Sequence, residues 1–200
     1  MKKIFFIQVI LISIVFFYPF KGYSYSSDPK QFISEIVIEA KKILSQNDSK
    51  ESKSEKLGKL ALKVSDIEGI AYYTLGNYRK SLKPEEKKEY LILFEKYFLK
   101  SFASRLTDHS NPKIDVLDVE VLNPKYTIVK SILLATEDRP EVKIDWRVYT
   151  KDPNKPLIRD VIIEGLSLAR TQKEEFASII ESNSGDLYKL FDKLKEFINN

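Results

Sequence analysis

The residues with the most chemistry to offer are two carboxylates, Asp160 and Glu164, in the run Asp160-Val161-Ile162-Ile163-Glu164. Two carboxyl groups facing each other a few ångströms apart would suit glycoside hydrolysis. On one strand, an i, i+4 pair is instead about 13 Å apart along the chain, so helix capping or pairing with outer-face lysines is the expected role. His109 is the only histidine; it stands in Thr107-Asp108-His109-Ser110-Asn111-Pro112, which reads as a helix exit. A surface or capping place is expected for it, not a Ser/His/Asp triad. One histidine and no cysteine give no zinc spacing. Gly58, Gly69 and Gly76 are too sparse to form a phosphate-cradling loop. The reading is of a protein that is not an enzyme and holds no cofactor.

The start of the chain addresses the compartment. Met1-Lys2-Lys3 precedes an apolar run from Ile4 to Tyr18, broken only by Gln8 and Ser13 and followed by Pro19, Gly22, Ser24, Ser26 and Ser27. A basic start, an apolar middle and a small-residue exit describe a secretory signal peptide over residues 1–25. The competing membrane anchor needs roughly 20 apolar residues; this run is shorter and is stopped by Pro19. With no cysteine there is nothing to acylate at a processed start. The whole chain carries 33 Lys+Arg against 29 Asp+Glu, a net +4. Removing Lys2, Lys3 and Lys21, with no acid among them, lowers the balance to +1, which is no basis for binding nucleic acid. Residues 26–200 suffice for one domain with a substantial core, and an exported fold without cysteine must hold by packing alone.

The elements that would position any site read as helices, then strands, then helices. Over 28–108, Asp28-Pro29 caps a first helix with Phe32, Ile33, Ile36, Val37, Ala40, Ile43 and Leu44 at helical spacing. Ser45–Lys56 reads as a solvated loop running into a short second helix with Leu57, Leu60, Ala61 and Val64. A third helix is expected over 66–80, where Gly69 and Gly76 call for a packing reason. Pro84 opens the longest helix, ending near Asp108, with a stripe of Tyr90, Leu91, Phe94, Tyr97, Phe98, Ser101 and Phe102 that reads first as core.

From Lys113 the period changes to two. Over 113–167 four strands are expected, the clearest being Val142, Ile144, Trp146 and Val148 alternating with Lys143, Asp145, Arg147 and Tyr149. Short connections imply an antiparallel meander with one buried face, formed by Leu117, Val119, Val121, Val129, Leu133, Val142, Ile144, Trp146, Val148, Val161 and Ile163. Two more helices close the chain within 171–198. The fold class is α+β, a curved antiparallel sheet with helices packed on one face. Periodicity does not separate a filled core from a lined cavity, since both require the same residue types.

Two stretches bring a family resemblance. One is Leu75-Gly76-Asn77-Tyr78 followed by Pro84, Tyr90, Phe94 and Tyr97; the other is Asp160 through Ser167 followed by Phe176, Gly185 and Leu194. In order and spacing, from Asp28 to about Phe197, the chain resembles the MlaC family, periplasmic phospholipid carriers also described as toluene-tolerance ABC transporter auxiliary proteins. It departs from the family at Lys83, where a Ser or Thr cap is common, and at Gln172-Lys173, where a Tyr-Arg pair is frequent.

The resemblance implies an NTF2-like sheet whose helical subdomain encloses a lipid cavity. It also implies a soluble periplasmic monomer that shuttles phospholipid between an outer-membrane lipoprotein complex and an inner-membrane ABC transporter complex, maintaining outer-membrane lipid asymmetry. Lining by Val119, Val121, Leu133, Ile144, Trp146, Val148 and Ile163 from the sheet, and by Ile70, Tyr73, Phe94 and Phe98 from the helices, is expected. The alternatives are an NTF2-like periplasmic adaptor with a filled core and a small enzyme on the same scaffold.

Overall fold

The computed structural model describes residues 25–106, 112–137 and 139–200, with the side chains of 102–106 left aside. The signal peptide expected over 1–25, apart from Tyr25, and His109 lie outside the described residues. Among the described residues, six α-helices and five strands follow in the order expected for the α+β class: α1 Pro29–Ser45, α2 Lys50–Val64, α3 Ile67–Thr74, a 3₁₀ turn Gly76–Lys80, α4 Pro84–Leu106, β1 Ile114–Asn123, β2 Tyr126–Leu133, β3 Val142–Tyr149, β4 Leu157–Ile163, β5 Leu166–Ser167, α5 Leu168–Ser182 and α6 Leu187–Asn199.

Local chemistry sets the helix ends. Asp28 accepts from the Gln31 amide at 2.8 Å, with Pro29 in the first turn. At Pro29's counterpart, Pro84, the side chain of Glu86 reaches back to the Lys83 amide at 2.7 Å. This is one half of a capping box, and it serves where Lys83 itself has no capping oxygen. α2 begins seven residues before Leu57, because Ser49 accepts from Ser52 N at 3.2 Å; the Ser/Lys/Glu run is a solvated helix face, not a loop. The segment expected as one helix over 66–80 is broken at Gly76, whose φ of +56° is open to glycine at little cost. Gly69 does have a packing reason: a Cβ there would stand 2.6 Å from the Arg159 guanidinium.

The strands form one antiparallel sheet in the order β1-β2-β3-β4-β5. The meander expected with four strands gains a fifth because Glu164 and Gly165 both take positive φ, 49° and 83°. That is the geometry of a type I′ hairpin turn, and it pairs Ile163 with Leu166. Three register irregularities bend the sheet, one of them between Val121 and Asn123 at the end of β1. On β1, Val116 pairs with Ser131 but Val119 with Val129, so the extra residue turns Leu117 off the inner face and leaves it 47% exposed. On β4, Arg147 opposes Asp160 while Val148 opposes Ile158.

Two apolar cores result. In the first, Phe32, Ile33 and Ile36 of α1 and Leu57, Leu60 and Val64 of α2 pack with Val129, Val148 and Ile158 of the sheet. The second joins Ala71 and Leu75 to Tyr90, Leu93 and Phe94 of α4, Phe176 and Ile180 of α5, and Leu190, Phe191 and Leu194 of α6. α1 thus packs against β1 and β2, α3 and α5 meet β4, and Tyr90, Phe94 and Tyr97 of α4 face α5 and α6.

Candidate functional site: an apolar sheet face between two cores

Side chains directly opposite each other in an antiparallel pair lie on the same face of the sheet. By register, Val119, Val129, Trp146 and Val161 form one row; Val121, Thr127, Val148 and Ile158 a second; Val116, Ser131, Ile144, Ile163 and Leu166 a third; Leu133 and Val142 a fourth. All seven sheet residues singled out from the sequence share this face, and no ionisable side chain interrupts it. Its two polar members are buried. Ser131 Oγ donates to the Ile144 carbonyl at 2.8 Å and accepts from Trp146 Nε1 at 2.9 Å.

Burial across the face is uneven. Val129 and Val148 are fully buried in the first core, while Val116, Val119, Trp146 and Val161 are half-buried at its margin. Val121, at the far end of β1, is 72% exposed. The helical residues divide in the same way. Phe94 belongs wholly to the second core, Ile70 and Phe98 are half-buried at its margin, and Tyr73 is exposed beneath the Lys173 ammonium, 5.4 Å from its ring. Two surface pockets occur elsewhere. One, of about 310 Å³, is lined by α4, α5 and α6 around Tyr97, Phe176 and Phe197; the other, of about 320 Å³, by α1 and α2 around Ile43, Leu60 and Lys63. Neither is lined by a sheet residue, so the enclosed space expected between sheet and helices is not one of them.

The carboxylates settle into structural roles. Asp160, though buried, accepts from Ser167 Oγ at 2.6 Å, the Ala169 amide at 3.0 Å and Arg147 Nη1 at 3.2 Å; it caps α5 from inside the sheet. Glu164 lies beyond β4, in the hairpin turn, so the two acids do not share a strand. A second ionic tie went unread in the sequence. Arg159 donates to Asp66 at 2.6 Å and to the Tyr126 hydroxyl at 2.8 Å, and lies 4.1 Å from the Tyr149 ring. Since Asp66 also caps α3 through Gly69 N at 2.9 Å, this cluster fastens the second core to the sheet. Its partners are 93 residues apart, a separation no local pattern reveals. No group of His, Cys, Asp and Glu able to hold a metal occurs among the described residues.

No curated protein matches the chain. Among solved structures, the fold is similar to that of a phospholipid-binding protein from Ralstonia solanacearum, determined in complex with a phospholipid, with a TM-score of 0.71 and 21% identity over 84% of this chain and 94% of that one. The family model described as MlaC protein matches residues 34–196, a span that takes in all five described strands and all of both cores except Phe32, Ile33 and the margin residues Tyr25 and Ile198. The chain belongs to the MlaC family.

Proposed function

We propose that this protein is a periplasmic phospholipid carrier, secreted through the leader at residues 1–25, that binds acyl chains along the apolar face of its sheet. The observation that carries the reading is the composition of that face: four cross-strand rows without an ionisable group. Acyl chains have no directional groups to match, so an aliphatic wall suits them, whereas an enzyme would require polar groups aimed inward. At roughly 0.8 kcal/mol per methylene, about thirty methylenes correspond to on the order of 24 kcal/mol of exposure. A carrier must hide most of this and still let go. The half-buried margins of the two cores, with Trp146 and Val161 on one and Ile70 and Phe98 on the other, are where tails would part the layers. The family and the phospholipid bound by the Ralstonia protein support this reading. In the same proposal the cargo passes between an outer-membrane lipoprotein complex and an inner-membrane ABC transporter complex.

A second reading rests on Val129 and Val148, both fully buried in the first core: a filled core, with an adaptor's work done at the surface. Native mass spectrometry of the purified mature protein separates the two. The carrier retains phospholipid mass, and Ile144→Glu or Trp146→Glu removes it while the protein still folds. A wild-type protein that stays bare after incubation with phospholipid vesicles is the adaptor.

A further inference from the structure

The row Ser131, Ile144, Ile163, Leu166 crosses four strands on one face. Exposure along it rises without reversal: 2% at Ser131, 9% at Ile144, 36% at Ile163 and 59% at Leu166. The next apolar residue in the chain, Leu168 at the start of α5, is 38% exposed. The interior surface therefore does not end at a polar rim on this side. It runs out into water over the two-residue strand β5, held by the Glu164-Gly165 turn. An exposed apolar strip usually marks a binding surface, and this one is continuous with the face assigned above to acyl chains.

We infer that the β5 edge is the portal through which acyl chains enter and leave, with Ile163 and Leu166 as its threshold. The inference rests on the carrier reading. A tail sliding along this row exchanges one apolar neighbour for the next and need never cross a charged side chain, which lowers the barrier to transfer without deepening the bound state. At the opposite edge Val121 of β1 is also exposed on this face, but its neighbour in the row is the buried hydroxyl-bearing Thr127, so the apolar run is interrupted there.

The absence of cysteine makes the test clean. Leu166→Cys and, as a control on the outer side of α1, Ile38→Cys (Ile38 is 67% exposed) each carry one thiol, which is blocked with a bulky charged methanethiosulfonate and freed with reductant. Uptake is followed from vesicles of phosphatidylethanolamine and phosphatidylglycerol bearing a pyrene-labelled phospholipid, and separately from dissolved dihexanoyl phosphatidylglycerol. For a portal, blocking Leu166→Cys slows both uptakes by about tenfold, reductant restores them, and the amount bound at equilibrium is unchanged. Slowing from vesicles alone would make the edge a membrane-docking patch and overturn the portal. So would a blocked Leu166→Cys that loads as fast as the blocked Ile38→Cys. If the wild type and the unblocked Ile38→Cys take up neither lipid, the carrier reading itself fails.

Discussion

The two cores are built from different materials. The helical core is aromatic and specific. Tyr90 stacks on Phe191 with ring centres 5.8 Å apart, Phe94 meets Phe176 edge-on at 6.4 Å, and Tyr97 contacts Phe197 at 5.0 Å. At its centre the Tyr90 hydroxyl bonds Thr74 Oγ1 at 2.9 Å and the Ala71 carbonyl at 3.2 Å. Such pairs prefer particular geometries and add to the energy of area burial. The sheet core is mainly aliphatic, with contacts that have no preferred direction. On the function proposed above, a frame must keep its shape whatever it carries, whereas a wall against acyl chains must accept many arrangements of similar energy. The difference teaches that rigidity and adaptability are assigned to separate regions, fastened together at Asp66 and Arg159.

Substitutions can break or sharpen that contrast. Phe94→Ala is expected to cost about 3–5 kcal/mol, read as a lowered denaturation midpoint; a cost near that of an aliphatic swap in the sheet would erase the distinction. Tyr90→Phe comes next, at about 1–2 kcal/mol near neutral pH, since Thr74 keeps its bond to the Ala71 carbonyl. Tyr90 also has a pH signature. Burial pushes its hydroxyl well above the ordinary value of 10.0. Above pH 10 the unfolded chain therefore loses this proton while the folded chain keeps it, and stability falls as pH rises, by up to about 1.4 kcal/mol per pH unit. Denaturant melts between pH 9 and 11 should show a shallower decline in Tyr90→Phe than in the wild type; identical slopes would place the hydroxyl in water. The smallest effect is expected for Ile144→Leu, below about 1.5 kcal/mol, with phospholipid loading retained. A clear loss of loading there would mean that the sheet face is as shape-specific as the helical core.

The sequence carried the class of fold because both periodicities are strong: helical spacing from Phe32 to Leu44, strict alternation from Val142 to Tyr149. Where it misled, the cause lay in contacts between distant residues or in chemistry without a period. The β1 bulge replaces Leu117 with Val116 on the inner face, and nothing in Val116-Leu117-Asp118 announces the extra residue. α5 starts at Leu168, three residues earlier than its apolar spacing suggests, because Asp160 across the sheet accepts the Ala169 amide. The first turns of α2 bury no residue and leave no apolar stripe to read. At the site, strand parity placed the seven sheet residues on one face, but alternation is silent about what covers that face. It could not show that Val129 and Val148 are closed over in a core shared with α1 and α2, nor that α4 turns Phe94 towards α5 and α6.

Trp146 is the only tryptophan in the chain, and it stands half-buried on the apolar face with its indole N–H bonded to Ser131. The protein thus carries a built-in optical probe at the place where cargo would lie. An indole with partial access to water emits at longer wavelength than one covered by hydrocarbon. Arrival of a tail should shift its emission towards the blue, so filling and emptying can be timed in a stopped-flow instrument with no dye attached.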